Sequence, residues 1–107
     1  MAKLYLLNTP VLPEYGHYEF KGPISMSLAR AMVSEGFVSA IGHEGAATLL
    51  SQLLQRPVKM HRQQVRLLPG DQALVLRLCQ RLPEGRVLSY HELSQLAFEL
   101  GVLTCLG

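Results

Sequence analysis

A short apolar run that breaks at a glycine–histidine pair and resumes as a helical stripe constrains this chain more than any other stretch. Phe37-Val38-Ser39-Ala40-Ile41 is apolar and partly β-branched, which predicts a buried strand. Gly42 then supplies the backbone freedom for a sharp turn. Behind it Ala46, Leu49, Leu50, Leu53 and Leu54 recur at the i, i+3, i+4, i+7, i+8 spacing of an amphipathic helix. His43 therefore sits where a strand ends and a helix begins, beside backbone N–H groups that lack intrahelical partners. Such a corner suits an anion such as phosphate, with an imidazole in reach. The competing structural reading is that His43 only caps the helix or packs in the turn.

The rest of the chain can be placed around that unit. Leu4 to Leu7 predicts a central strand buried on both sides, ending at Asn8-Thr9-Pro10. Pro10, Pro13 and Gly16 mark an irregular loop after it. Asn8, at the strand end, is either a ligand contact, as at the ends of strands in open α/β sheets, or a turn former. His17 to Phe20 reads as a second strand stopped by Gly22-Pro23. Ser25 or Ser27 caps a helix with Leu28, Ala31, Met32 and Val33 turned inward, and Gly36 ends it.

Val65 and Leu67, then Leu74, Leu76 and Leu78, alternate with other residues on either side of Pro69-Gly70-Asp71-Gln72, which predicts a hairpin. Pairing Leu68 with Ala73 would put the leucines on one face and gather Arg62, Gln64, Arg66 and Arg77 on the other. Ser89-Tyr90-His91-Glu92 has the capping-box pattern and starts a helix with Leu93, Leu96, Ala97 and Leu100 inward. Gly101 closes that helix, and Val102 to Leu106 returns as an edge strand.

The 107 residues suffice for one core and one domain. A hydrophobic share of 49% against 17% charged residues argues for a folded chain rather than a disordered one. Cys79 and Cys105 lie far apart, fit no zinc spacing and suggest a reducing compartment, with the cytoplasm as the expected location. The apolar run near Met1 is too short for a signal peptide, and no run reaches membrane-spanning length. Charge is uneven. Seven of the ten Lys and Arg residues fall between Arg56 and Arg86, where Asp71 and Glu84 are the only acids, so this segment carries +5 and the remainder −3. Arginine dominance suits phosphate, whose oxygens match the guanidinium fork, although a solvated charged face is the bland alternative. Neither expected helix near the basic segment is itself basic, and aromatics are only 7%, which disfavours a reader of duplex nucleic acid.

Leu4-Tyr5-Leu6-Leu7-Asn8-Thr9, Ser39-Ala40-Ile41-Gly42-His43, Arg62, Gln80-Arg81-Leu82-Pro83-Glu84-Gly85 and the Leu88-Ser89 start of a helix together form a pattern. In order and spacing it resembles the ring nucleases of archaeal viruses, phages and some bacteria, which serve as type III anti-CRISPR proteins or their cellular relatives. The likeness runs nearly the full length. It implies an α/β fold, a single domain over residues 1–107, with a mixed, about five-stranded sheet flanked by helices and assembled as a homodimer. It also implies metal-independent cleavage of the second messenger cyclic tetra-adenylate, with no cofactor, to linear di-adenylate ending in a 2′,3′-cyclic phosphate. On that likeness His43 is the general acid and Glu84 contributes to catalysis. Asn8, Thr9, Gly42, Gly45, Arg62, Arg77 and Arg81 are the substrate-binding residues. The chain departs from the pattern at Val11, where some viral members carry serine, at Gly45-Ala46, where they carry hydroxyl residues, and at Arg77, where one branch has glutamine.

The implied chemistry needs no protein nucleophile, because the ribose 2′-hydroxyl lies beside the phosphorus it attacks. A helix start disfavours an imidazolium and bound phosphate favours one, so His43 is expected to gain its proton as ligand arrives. Two other functions are open: a sponge that sequesters the same messenger without cutting it, and a small nucleic-acid-binding regulator.

Overall fold

The computed structural model of the chain describes residues 3–8, 14–78 and 98–107, and the account below concerns these. Five strands and two helices follow one another as β1 (Leu4–Leu7), β2 (Tyr18–Lys21), α1 (Met26–Val33), β3 (Val38–Ser39), α2 (Glu44–Leu54), β4 (Gln72–Leu78) and β5 (Phe98–Cys105). They form one mixed sheet in the order β2-β5-β4-β1-β3. β1 runs parallel to both β3 and β4, whereas β5 is antiparallel to β4 and to β2. The α/β class and the five-stranded mixed sheet are as expected.

Burial on both faces explains the near-continuous apolar runs of β1 and β4. Leu6, Leu74 and Leu76 point toward α1 and α2, in one cluster with Ala29, Val33, Ile41, Leu49 and Leu50. Leu7, Ala73 and Val75 point the other way, against Val65, Leu67, Leu103 and Cys105. Each fully buried leucine or valine side chain stabilises the fold by roughly 1.5–3 kcal/mol, so losing either layer would remove most of the net stability.

The helices follow their caps. Ser25 Oγ accepts the Leu28 N–H at 3.1 Å, and Gly36 takes the positive φ (106°) that closes the turn after α1. The inward face of α1 is rotated from the expected one. Ala29 and Val33 are buried, whereas Leu28 stays 49% exposed and Ala31 is exposed. A small residue at position 29 lets α1 lie close against its neighbours, which side-chain size alone did not reveal. In α2 the stripe is the expected one, with Ala46, Leu49, Leu50 and Leu54 buried.

The expected hairpin does not form. Residues 57–68 make no strand; they leave α2, round the β3 edge and cross to the opposite face, with Val58 in the helix-side cluster and Val65 and Leu67 in the other. Val65 and Leu67 are buried and Gln64 and Arg66 exposed, so the alternation is real, but it lies flat on the sheet rather than beside β4. Both edges of β4 are occupied by β1 and β5, which leaves none for this segment. The turn itself is present, with Asp71 N–H donating to Leu68 O at 2.8 Å and Gly70 at φ 93°. At the other end, Leu100 and Gly101 belong to β5 instead of closing a helix, and β5 is internal rather than an edge. Leu100 pairs with Leu76 and packs under the helices, a burial that satisfies it as well as a helical stripe would. Residues 89–97 of the expected last helix lie outside the described residues.

Candidate active site

Parallel pairing of β1 with β3 brings two strand ends to the same edge of the sheet, with Leu6 beside Ser39 and the Ala40 N–H donating to Leu6 O at 3.0 Å. Asn8 therefore emerges next to Gly42 and His43. This is the C-terminal edge of the parallel strands, where open α/β sheets place their ligands. Asn8 Oδ1 accepts the Gly42 N–H at 3.1 Å, and Arg62 Nε donates to the Gly42 carbonyl at 2.9 Å. Both polar groups of Gly42 are thus held by side chains. A Cβ on Gly42 would meet Arg62 Cγ at 3.4 Å, an ordinary van der Waals contact.

His43 follows in extended conformation (φ −136°, ψ 127°) as the N-cap of α2. Its Nδ1 accepts the Gly45 N–H at 3.0 Å, and its carbonyl accepts the Ala47 N–H at 3.0 Å. A ring nitrogen that accepts carries no proton, so the neutral ring holds its hydrogen on Nε2, the atom left for a ligand. The ring is half-buried. His43 does cap α2, and the cap uses Nδ1 but not Nε2. Glu44, exposed in the first turn of α2, favours the helix and opposes a nearby anion. Arg62 brings a positive charge to the same corner; with Nε on Gly42 O, its two Nη groups make no hydrogen bond to the described residues and offer a fork of donors.

Of the expected site residues, Asn8, Gly42, His43, Gly45 and Arg62 converge on this corner. Arg77 does not join them through a shared arginine face. It stands opposite Glu99 in the β4–β5 pairing and lines a cavity of about 110 Å³ with Phe20, Pro23 and Gly101. Arg66 instead pairs with Glu14 at 2.9 Å. The gathering of Arg62, Gln64, Arg66 and Arg77 on one side fails with the hairpin that would have produced it. Thr9, Arg81 and Glu84 lie outside the described residues. Among the described residues no cluster of three or more His, Cys, Asp or Glu side chains could hold a metal ion, and no helix is long and apolar enough to cross a membrane.

Two polar residues matter that sequence reasoning passed over. Asp71 is 5% exposed, and its carboxylate accepts the Lys3 N–H at 2.9 Å and the Leu68 N–H at 3.0 Å, tying the start of β1 to the turn before β4. The Pro-Gly-Asp turn was the only sign of it. Gln63, in the segment beside β3, carried no signal at all, since nothing in an irregular polar stretch distinguishes one amide from another.

The STIV B116-like family matches residues 4–100 of this chain. The protein ORF116 of Acidianus filamentous virus 1 is 37% identical over 101 residues, covering 91% of this chain and 86% of its own length. ORF117 of Acidianus two-tailed virus is 38% identical over 104 residues, covering 91% and 88%. Among solved structures, B116 of Sulfolobus turreted icosahedral virus superposes with a TM-score of 0.71 at 23% identity, over 96% of this chain and 99% of that one. That likeness speaks for the fold alone. The family expected from the sequence is corrected accordingly: the chain matches the STIV B116-like family and not a ring-nuclease family.

Proposed function

The chain belongs to the STIV B116-like family, and from that premise we propose that it is a phosphodiesterase that opens cyclic tetra-adenylate at the His43 corner. One observation carries the reading: Asn8, the Gly42-His43 pair and Arg62, distant in sequence, meet at one strand-to-helix corner where, among the described residues, the local hydrogen bonds use Nδ1 of the imidazole and Nε of the guanidinium but neither Nε2 nor the Nη groups.

In this reaction the ribose 2′-oxygen attacks the adjacent phosphorus and the bond from phosphorus to the 5′-oxygen breaks. The product ends in a 2′,3′-cyclic phosphate. The 2′-hydroxyl proton leaves to water or to the carboxylate expected of Glu84, and the 5′-oxygen receives a proton from His43. Holding the three reacting atoms in line is the main task, and positioning of this kind supplies roughly 7–11 kcal/mol in favourable cases. Arg62, with Arg81 as expected from the sequence, would clamp the phosphate and offset charge as it develops. The proton donor adds typically ~10²–10⁴-fold. To donate, the ring must carry a proton on both nitrogens, and the one on Nδ1 displaces the Gly45 N–H.

A second copy of the chain completes the proposal. The cyclic tetranucleotide has a twofold axis, as does the commonest homodimer, so paired copies would set two His43 rings at opposite phosphates and release two identical halves. The cellular role in this reading is to antagonise or reset type III CRISPR signalling, in the host cytoplasm and without a metal cofactor. Multiple-turnover digestion of cyclic tetra-adenylate in EDTA is the test. Conversion far beyond one ring per dimer, lost in His43→Ala, is the expected outcome. Depletion that stops at the stoichiometric point would mark a sponge, and no depletion would exclude the messenger as ligand.

A further inference from the structure

We propose that Gln63 is a positioning residue that sets the reach of Arg62 into the His43 corner; its consequence for the reaction rests on the reading above, its geometry does not. Residues 59–64 are all exposed, between Val58 buried on the helix side of the sheet and Val65 buried on the other. No buried side chain holds this six-residue span to the body, so hydrogen bonds to β3 and to the residues that follow it must define its path. Ser39 Oγ donates to Lys59 O at 2.6 Å, the His61 N–H donates to Ile41 O at 2.8 Å, and Gln63 Nε2 donates to Ser39 O at 2.7 Å. The Gln63 amide nitrogen also lies 3.1 Å from His61 Nδ1, within hydrogen-bond distance when that ring nitrogen carries no proton.

Arg62 stands between the last two of these anchors, with its Nε on Gly42 O at 2.9 Å. The backbone on its N-terminal side is fastened by His61. On its C-terminal side the fastening is the side chain of Gln63. An arginine whose Nε is fixed presents its Nη pair in one direction, and bidentate contact with phosphate depends on that direction more than on charge alone. Removing the Gln63 amide leaves the arginine charged and present but lets its backbone swing.

The direct test is hydrogen exchange at the Arg62 Nε–H, read by arginine-selective ¹⁵N NMR, in wild type, Gln63→Ala, Gln63→Glu and Gln63→Lys. Gln63→Ala is expected to lower protection roughly twofold to tenfold, the factor one exposed hydrogen bond supports. Gln63→Glu, which sets a carboxylate against a carbonyl, should lower it further, and Gln63→Lys, which keeps a donor, should retain most of it. Unchanged protection in both Gln63→Ala and Gln63→Glu would overturn the proposal whatever the protein binds.

A second measurement separates the two ideas. Binding of cyclic tetra-adenylate to protein carrying His43→Asn should weaken by a similar factor on adding Gln63→Ala, yet show no further loss once Arg62→Ala is present. A full Gln63 effect in the Arg62→Ala background would mean that Gln63 does not act through the arginine. Lowered Nε–H protection in a protein that binds no cyclic tetra-adenylate would instead support the positioning role and sink the messenger reading.

Discussion

His43 has two duties in one ring, and a pair of substitutions separates them. Nδ1 caps α2 through the Gly45 N–H at 3.0 Å, while Nε2, which the cap does not use, is the proposed proton donor. His43→Ala removes both; His43→Asn removes the outer nitrogen but offers Oδ1 to the same N–H. Loss of a side-chain cap costs typically ~1 kcal/mol (about 0.5–2), whereas asparagine is among the best caps. Because α2 buries Ala46, Ala47, Leu49, Leu50 and Leu54, fraying of its first turn is felt by the whole fold. Urea unfolding should therefore show His43→Ala less stable by about 1 kcal/mol, a midpoint shift of roughly 0.5–1 M at unchanged slope, and His43→Asn within a few tenths of wild type. Turnover of cyclic tetra-adenylate should fall by ~10²–10⁴-fold in both. An asparagine variant that still cuts within a fewfold of wild type would reduce His43 to a cap. An alanine variant as stable as wild type would mean that the cap geometry is wrong.

Two further outcomes probe the frame that holds the corner. Asp71→Ala strands two backbone N–H groups at the β1–β4 junction and should cost about 2–6 kcal/mol; Asp71→Asn keeps one acceptor and should fall between, and a loss under 1 kcal/mol for alanine in urea unfolding would contradict the assigned bonds. Gln55 ends α2 in the left-handed region (φ 56°, ψ 38°), so Gln55→Gly should stabilise by roughly 0.5–1 kcal/mol, read as a raised unfolding midpoint.

What could be read from the residues alone is local. The turn from Gly42-His43 into α2, the Ser25 cap, the Gly36 terminator and the Pro69–Gly70 turn each depend on side chains within about four positions of one another, where cap chemistry and hydrophobic period act. The buried strand expected over residues 37–41 is instead the two-residue edge strand β3, with Val38 exposed. The meeting of Asn8 with His43 was half legible, since a polar residue at a strand end has a known use, but its partner in space was not. Which edge β4 would find was decided elsewhere. Residues 62–68 had the alternation for a hairpin with it, yet β1 and β5 occupy both of its edges, and Leu100 leaves a plausible helical stripe to pair with Leu76. Such choices compare the apolar area buried by rival pairings across the whole chain, a quantity that no short window contains. The arginines followed from them: once the basic segment lay across the sheet instead of along β4, Arg62 met Gly42 and Arg66 met Glu14, while Arg77 stayed on β4 beside a small cavity away from that corner. The chain's own pattern determined the histidine's corner; only the competition for sheet edges decided which guanidinium would stand beside it.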